Sequence, residues 1–190
     1  MLKSKRSRIR AAAGVGMAAV IATAGAVTFN ASAAEVAAPK ASGPDARAVS
    51  IPGIPSAIKP PKGAKPIGAY VVASGTQTYT CTGGIFTGAS TPEAQLIGTG
   101  GRVHHFGGPS WQSTRDNSLV TAKKIGESPR TGTIPELLLE VTTTTGGGVL
   151  GRATHISRLL TSGGAAPAGA CTDGAKKAVP YGAVYVFWAK

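Results

Sequence analysis

Tyr181-Gly182-Ala183-Val184-Tyr185-Val186-Phe187-Trp188 decides the fold class. In extended backbone successive side chains point to opposite faces. Tyr181, Ala183, Tyr185 and Phe187 therefore share one face, and Gly182, Val184, Val186 and Trp188 share the other. The residues are β-branched or aromatic, which suits a pleated surface. Both faces are apolar, so the segment reads as a strand covered on two sides, central in its sheet.

The rest of the chain repeats this character in shorter pieces. Strands are predicted at 67–73, 77–82, 95–97, 101–106, 119–124 and 135–145. Ser74-Gly75 reads as a tight turn joining the first two. In Gln77-Thr78-Tyr79-Thr80-Cys81-Thr82, Gln77, Tyr79 and Cys81 share a face. Tyr79 and Cys81 mark its core side. Asp116-Asn117 is a turn signal, because both residues tolerate unusual backbone angles. Leu137-Leu138-Leu139 could open a helix, but Val141 and the following threonines argue for a strand. Residues 153–161 fit either element. Ile156, Leu159 and Leu160 suit a short helix, whereas alternation of Thr154, Ile156, Arg158 and Leu160 suits a strand. Frequent glycine and the lack of long apolar helical patterns favour one all-β domain, an antiparallel sandwich or a partly closed barrel.

Upstream of the β-rich region, at 1–33, lies an export signal. Lys3, Lys5, Arg6, Arg8 and Arg10 form a basic head, an uncharged run covers 11–27, and Ala31-Ser32-Ala33 offers small side chains to a signal peptidase. The uncharged run is Ala- and Gly-rich and shorter than the roughly 20 residues of a spanning helix, which argues against a retained anchor. Arg6-Ser7-Arg8 is not a twin-arginine pair. The expected product is secreted, cleaved near Ala33, without a transmembrane segment. Residues 34–49 are Ala-, Pro- and Lys-rich and read as a flexible linker. Ile51-Pro52-Gly53-Ile54-Pro55 and Ile58-Lys59-Pro60-Pro61 then suggest an extended segment docking its isoleucines on a domain spanning 50–190.

The chain has 20 Lys and Arg against eight Asp and Glu. Five of the cations fall before residue 34 and every acid falls after it, so the secreted part carries a net charge of +7. The charges are scattered and no nucleic-acid motif is present. The expected partners are anionic surfaces, such as a cell-wall polysaccharide or another anionic polymer, with no specific nucleic acid. The two cysteines, Cys81 and Cys171, are expected to form one disulfide in an oxidising compartment.

In this order the landmarks resemble a family of secreted bacterial and fungal proteins catalogued as domain of unknown function 3455. The resemblance rests on Pro55-Ser56-Ala57-Ile58 with Pro60-Pro61 and Gly63, on Gly75-Thr76-Gln77-Thr78-Tyr79-Thr80-Cys81, and on His105-Phe106-Gly107-Gly108-Pro109-Ser110-Trp111. It continues through Asp116-Asn117-Ser118, Ile134-Pro135-Glu136-Leu137-Leu138-Leu139 and Thr154-His155-Ile156-Ser157-Arg158. Thr161-Ser162-Gly163-Gly164-Ala165-Ala166-Pro167, Cys171 and Val179-Pro180-Tyr181 complete it. The family commonly has Gly at 117 and Trp at 136; Glu136 instead of Trp suggests an exposed position. The resemblance implies an architecture and no reaction.

The candidate site follows from the central stretch of those motifs. His104 and His105 are adjacent and would face opposite ways on a strand, so they cannot share a metal. His105, Trp111 and Asp116 near a Gly-Pro turn either line a ligand pocket or hold a hairpin together. In the first case a sugar stacks on Trp111, His105 or Asp116 accepts or donates a hydrogen bond, and Arg102 and Arg115 draw an anion. No metal spacing is evident, with or without His155, and no cofactor is implied. Gly146-Gly147-Gly148-Val149-Leu150-Gly151 contains a formal GxGxxG with Asp173 downstream, but no βαβ unit surrounds it, and it reads as a hairpin loop. No serine lies in GxSxG. Glu136 and Glu140, on one face of a strand, would stand roughly 13 Å apart, too far for a glycosidase pair. The reading that results is a non-catalytic extracellular binding domain. The alternatives are a secreted hydrolase using His105 and Asp116, or a purely structural protein.

Overall fold

The computed structural model describes residues 53–190. The segments read above as an export signal, 1–33, and a linker, 34–49, lie outside the described residues. Eight antiparallel strands follow one another around a closed barrel: β1 (Lys65–Thr82), β2 (Ile85–Gly98), β3 (Gly101–Phe106), β4 (Ser110–Ser113), β5 (Leu119–Ser128), β6 (Glu136–Thr145), β7 (His155–Gly163) and β8 (Lys176–Ala189). Each strand pairs with its neighbour in sequence, and β8 closes the ring on β1. Closure leaves no open sheet edge. The barrel is thus the form taken, and it is fully closed. Among the described residues no helix is long and apolar enough to cross a membrane.

The 181–188 segment forms the second half of β8, and its two faces are buried differently. Tyr181, Ala183, Tyr185 and Phe187 point into the barrel among Tyr70, Leu96, Val103, Trp111 and Ile156. Val186 and Trp188 point outward and pack with Ile58, Leu138 and Leu159. The outer cover is a strap rather than a second sheet. A short 3₁₀ turn, Ser56–Ile58, seats Ile58 with no exposed surface, and Ile54 and Ala64 pack beside it. Ile54 and Ile58 dock as their sequence suggested, and Ile51 lies outside the described residues.

Two expectations require correction, and one reading left open is decided. Residues 67–73 and 77–82 are one strand of 18 residues, and Ser74-Gly75 is not a turn. A two-residue hairpin needs positive φ, which neither residue adopts. The strand instead bends there: its pairing with β8 shifts between Val71 and Thr76. A Cβ on Gly75 would strike Ala94 and Tyr181, so glycine marks a crowded bend. Residues 153–161 are extended, within and just before β7. Glu136 is buried, not exposed, for a reason given below. The 95–97 stretch is the end of a 14-residue β2, and the short β4 was not anticipated.

An up-and-down barrel places alternate turns at opposite ends. The β2–β3, β4–β5 and β6–β7 connections lie at one end and the β1–β2, β3–β4, β5–β6 and β7–β8 connections at the other. The first end is plugged. Leu150, from the glycine-rich 146–151 loop, is buried in the core. Asp116 accepts hydrogen bonds from the Ser118 amide and hydroxyl and from the Val149 amide, and Ser118 Oγ accepts one from Leu150 N–H. A Cβ at Gly148 would land on the Asp116 carboxylate. The formal GxGxxG therefore makes a close-packed hairpin loop.

The second end carries the disulfide. Cys81, at the end of β1, bonds Cys171 in the loop between β7 and β8. Asp173 accepts a hydrogen bond from the Gly84 amide, and Tyr79 donates its hydroxyl to the Gly164 carbonyl at 2.5 Å. The loop is thereby fastened to the β1–β2 turn.

Candidate functional site

The β3–β4 hairpin sets His105 directly opposite Trp111, across the Gly107-Gly108-Pro109 turn. Cross-strand neighbours on one face touch, and here the two rings stack with centroids 4.3 Å apart and planes 3° from parallel. Tyr185 of β8 meets both edge-on, at 5.2 Å and 5.8 Å. The two rings thus brace the hairpin, and both residues line a cavity.

That cavity opens at the disulfide-bearing end and has a volume of about 200 Å³. Its walls include Gln77, Lys124, Leu137, Leu139 and Arg158 besides the three aromatic residues. An eight-stranded barrel has an interior that side chains can just fill or that can hold one small ligand. Here side chains fill the plugged end, and the cavity lies toward the other.

The hydrogen bonding of the lining is incomplete. His105 Nδ1 lies 2.8 Å from the Ser110 carbonyl oxygen. A carbonyl only accepts, so Nδ1 carries the proton. Burial, offset partly by that bond and reinforced by the Arg158 and His104 charges, lowers the His105 pKa to about 4. The ring is neutral at pH 7, with Nε2 as a lone-pair acceptor. Gln77 accepts from Ser90 Oγ at 2.6 Å through Oε1, but its buried Nε2 has no partner. The buried Trp111 Nε1 has none either. An unpaired buried donor costs about 1–3 kcal/mol, so two on one cavity need explaining.

Arg158 completes the set. Its Nε and Nη2 donate to the Pro135 carbonyl at 3.2 Å and 2.9 Å. Among the described residues it is in no salt bridge. Its charge reaches both His105 and Tyr185. No Asp or Glu lines the cavity. Burial raises the Tyr185 and Tyr181 pKa values, and their hydroxyls meet at 3.3 Å.

The remaining candidates lie elsewhere. Asp116 and Arg115 occupy the β4–β5 turn at the plugged end, exposed, and Arg102 starts β3 on its outward face. Bonds from the Ser118 hydroxyl and the Val149 amide lower the Asp116 pKa to about 2. None of the three lines the cavity. His104 faces outward and contacts Glu93 at 2.6 Å, the opposite facing expected of adjacent histidines. Among the described residues no group of three or more His, Cys, Asp and Glu could hold a metal.

Sequence reading missed Gln77, Lys124, Arg158 and Tyr185 as cavity residues. Two signals were present. Gln77 shares a face with Tyr79 and Cys81, and Arg158 shares one with Ile156. A charged or amide side chain in register with core residues points inward, toward either a partner or a ligand.

The family model described as Protein of unknown function (DUF3455) matches residues 97–189, from the end of β2 to the end of β8. The match takes in His105, Trp111, Lys124, Arg158 and Tyr185 but not Gln77. No curated protein and no solved structure matches the chain.

Proposed function

Because the chain belongs to the DUF3455 family over residues 97–189, whose description assigns no activity, we propose from the site itself that this is a secreted, non-catalytic binding domain. It takes an anionic or carbohydrate ligand into the open end of the barrel. One observation carries the reading. The cavity is walled by Gln77 and Trp111, each holding a buried donor without a partner, and by Arg158, a guanidinium without a counter-ion among the described residues. Such groups are costly when empty and useful when a ligand pairs them. Secretion rests on residues 1–33 and suits a fold fastened by a disulfide.

The hydrolase alternative loses its pair. His105 hydrogen-bonds a backbone carbonyl, whereas Asp116 sits in a turn at the other end of the barrel. The proposed pairing of His105 with Asp116 needs the two within hydrogen-bond reach of one substrate, which opposite ends of the barrel do not allow.

Isothermal titration calorimetry of the purified protein with acetate, phosphate, glucuronate and glucose tests the reading. At least one probe is expected to bind at a single saturable site, weaken at high salt if charged, and bind at least tenfold more weakly to Gln77→Leu. That variant keeps the bulk of the side chain and removes the unpaired amide. No binding by any probe, or binding indifferent to Gln77→Leu, would refute it.

A further inference from the structure

We infer that the occupant is a small aromatic monocarboxylate, its carboxylate on Arg158 and its ring against Leu137, Leu139 and Trp111. This rests on the binding role just proposed and decides between the two ligand classes it leaves open.

The first argument is a donor count. Gln77 Nε2, Trp111 Nε1 and the Arg158 guanidinium are donors, whereas the Lys124 ammonium already donates to Glu127 at 2.5 Å. The side-chain acceptors are His105 Nε2, Gln77 Oε1, which already accepts from Ser90, and the Ser90, Thr91 and Tyr185 hydroxyls; no carboxylate is present. A sugar brings one donor with every hydroxyl, and this lining offers no carboxylate to take them. An ionised carboxylate only accepts, and its planar pair of oxygens matches the guanidinium fork. A single Arg outside any salt bridge among the described residues suits one negative charge.

The second argument is size and polarity. A dry cavity of about 150 Å³ holds benzene. The space here, about 200 Å³, accommodates one ring and a small head group and excludes an oligosaccharide or a polymer chain. Leu137 and Leu139, adjacent in the inward row of β6, give the ring an apolar wall, and Arg158 stands in register beside Leu137 on β7. The head group and the ring thus find their partners on neighbouring strands.

Benzoate, benzamide and acetate separate the contributions. Benzamide has the ring without the charge, and acetate has the charge without the ring. Benzoate is expected to bind the wild-type protein at least tenfold tighter than either. Arg158→Met should weaken benzoate at least tenfold and leave benzamide unchanged. Arg158→Lys keeps the charge and loses the planar fork; it is expected to weaken benzoate about threefold, and it serves if the methionine variant does not fold. Benzamide equal to benzoate overturns the carboxylate, and acetate equal to benzoate overturns the ring, in both cases with the binding cavity intact. Failure of the broader reading looks different: neither these probes nor acetate, phosphate, glucuronate or glucose would bind.

Discussion

His105 shows how one residue can serve packing and site together. Its ring is stacked on Trp111, its Nδ1 proton is committed to Ser110, and burial keeps it neutral. A histidine whose folded pKa is depressed binds fewer protons folded than unfolded below the ordinary value near 6.5. Stability is therefore lost as pH falls from about 6.5 toward 4, by up to about 3 kcal/mol, and is fully present above that window. Urea denaturation at pH 7.5, 6, 5 and 4.5 should show a falling midpoint in the wild type and a flatter trend in His105→Gln. Equal slopes would show that another group carries the dependence. Asp116 is separate: its carboxylate is held ionised and titrates mainly below pH 4, where its contribution is lost as pH falls through about 2. The pairing of His105 with Trp111 was legible as spacing across a Gly-Pro turn. Asp116 was grouped with them because it is near in sequence, but three residues of β4 and a turn carry it to the far end of the barrel. Proximity along a hairpin ladder reverses with every strand.

At the scale of elements, β7 depends on a residue that sequence reasoning put outside. Glu136 begins β6 on its outward side, and its Oε1 accepts from the Leu160 amide at 2.7 Å and from Arg130 Nη1 at 2.9 Å. Leu160 sits at φ 50° within the irregularity between Leu159 and Ser162. A non-glycine residue in that region costs about 1–3 kcal/mol and persists only where its surroundings hold it. Glu136 supplies the hold through its bond to the Leu160 amide. Glu136→Ala should destabilise the fold by about 2 kcal/mol in urea, because the Leu160 amide is left unpaired. Arg130→Ala should cost less than about 1 kcal/mol, since the arginine is largely solvated. A larger loss in Arg130→Ala than in Glu136→Ala would reverse this assignment. Sequence periodicity identified most strands because alternation is local. It could not find the bulge or the bend at Gly75, where nothing but the neighbouring strand decides the geometry.

For the whole molecule, closure and the disulfide act on different terms. Closure removes sheet edges, while the Cys81–Cys171 bond spans 90 residues and restricts the unfolded chain. Loop-closure arithmetic puts that restriction near 4–5 kcal/mol, an upper value. Cys81→Ser with Cys171→Ser is expected to lower unfolding free energy by about 3 kcal/mol, read by urea titration followed with circular dichroism. An unchanged midpoint would mean that the 164–175 loop is held by its hydrogen bonds alone. An all-β domain with one disulfide was legible from strand alternation and from two cysteines. Full closure was not, because it depends on β8 finding β1 across the length of the chain.

The molecule has two tryptophans, and only one lines the cavity. Trp111 Nε1 is unpaired, whereas Trp188 Nε1 donates to Ser157 Oγ at 2.9 Å on the outer side of the barrel. A ¹H–¹⁵N spectrum of the labelled protein, titrated with benzoate, therefore carries its own control. The Trp111 indole resonance should move and saturate while that of Trp188 stays in place. A Trp111 resonance that never moves, or a Trp188 resonance that moves as far, would contradict a ligand site inside this barrel.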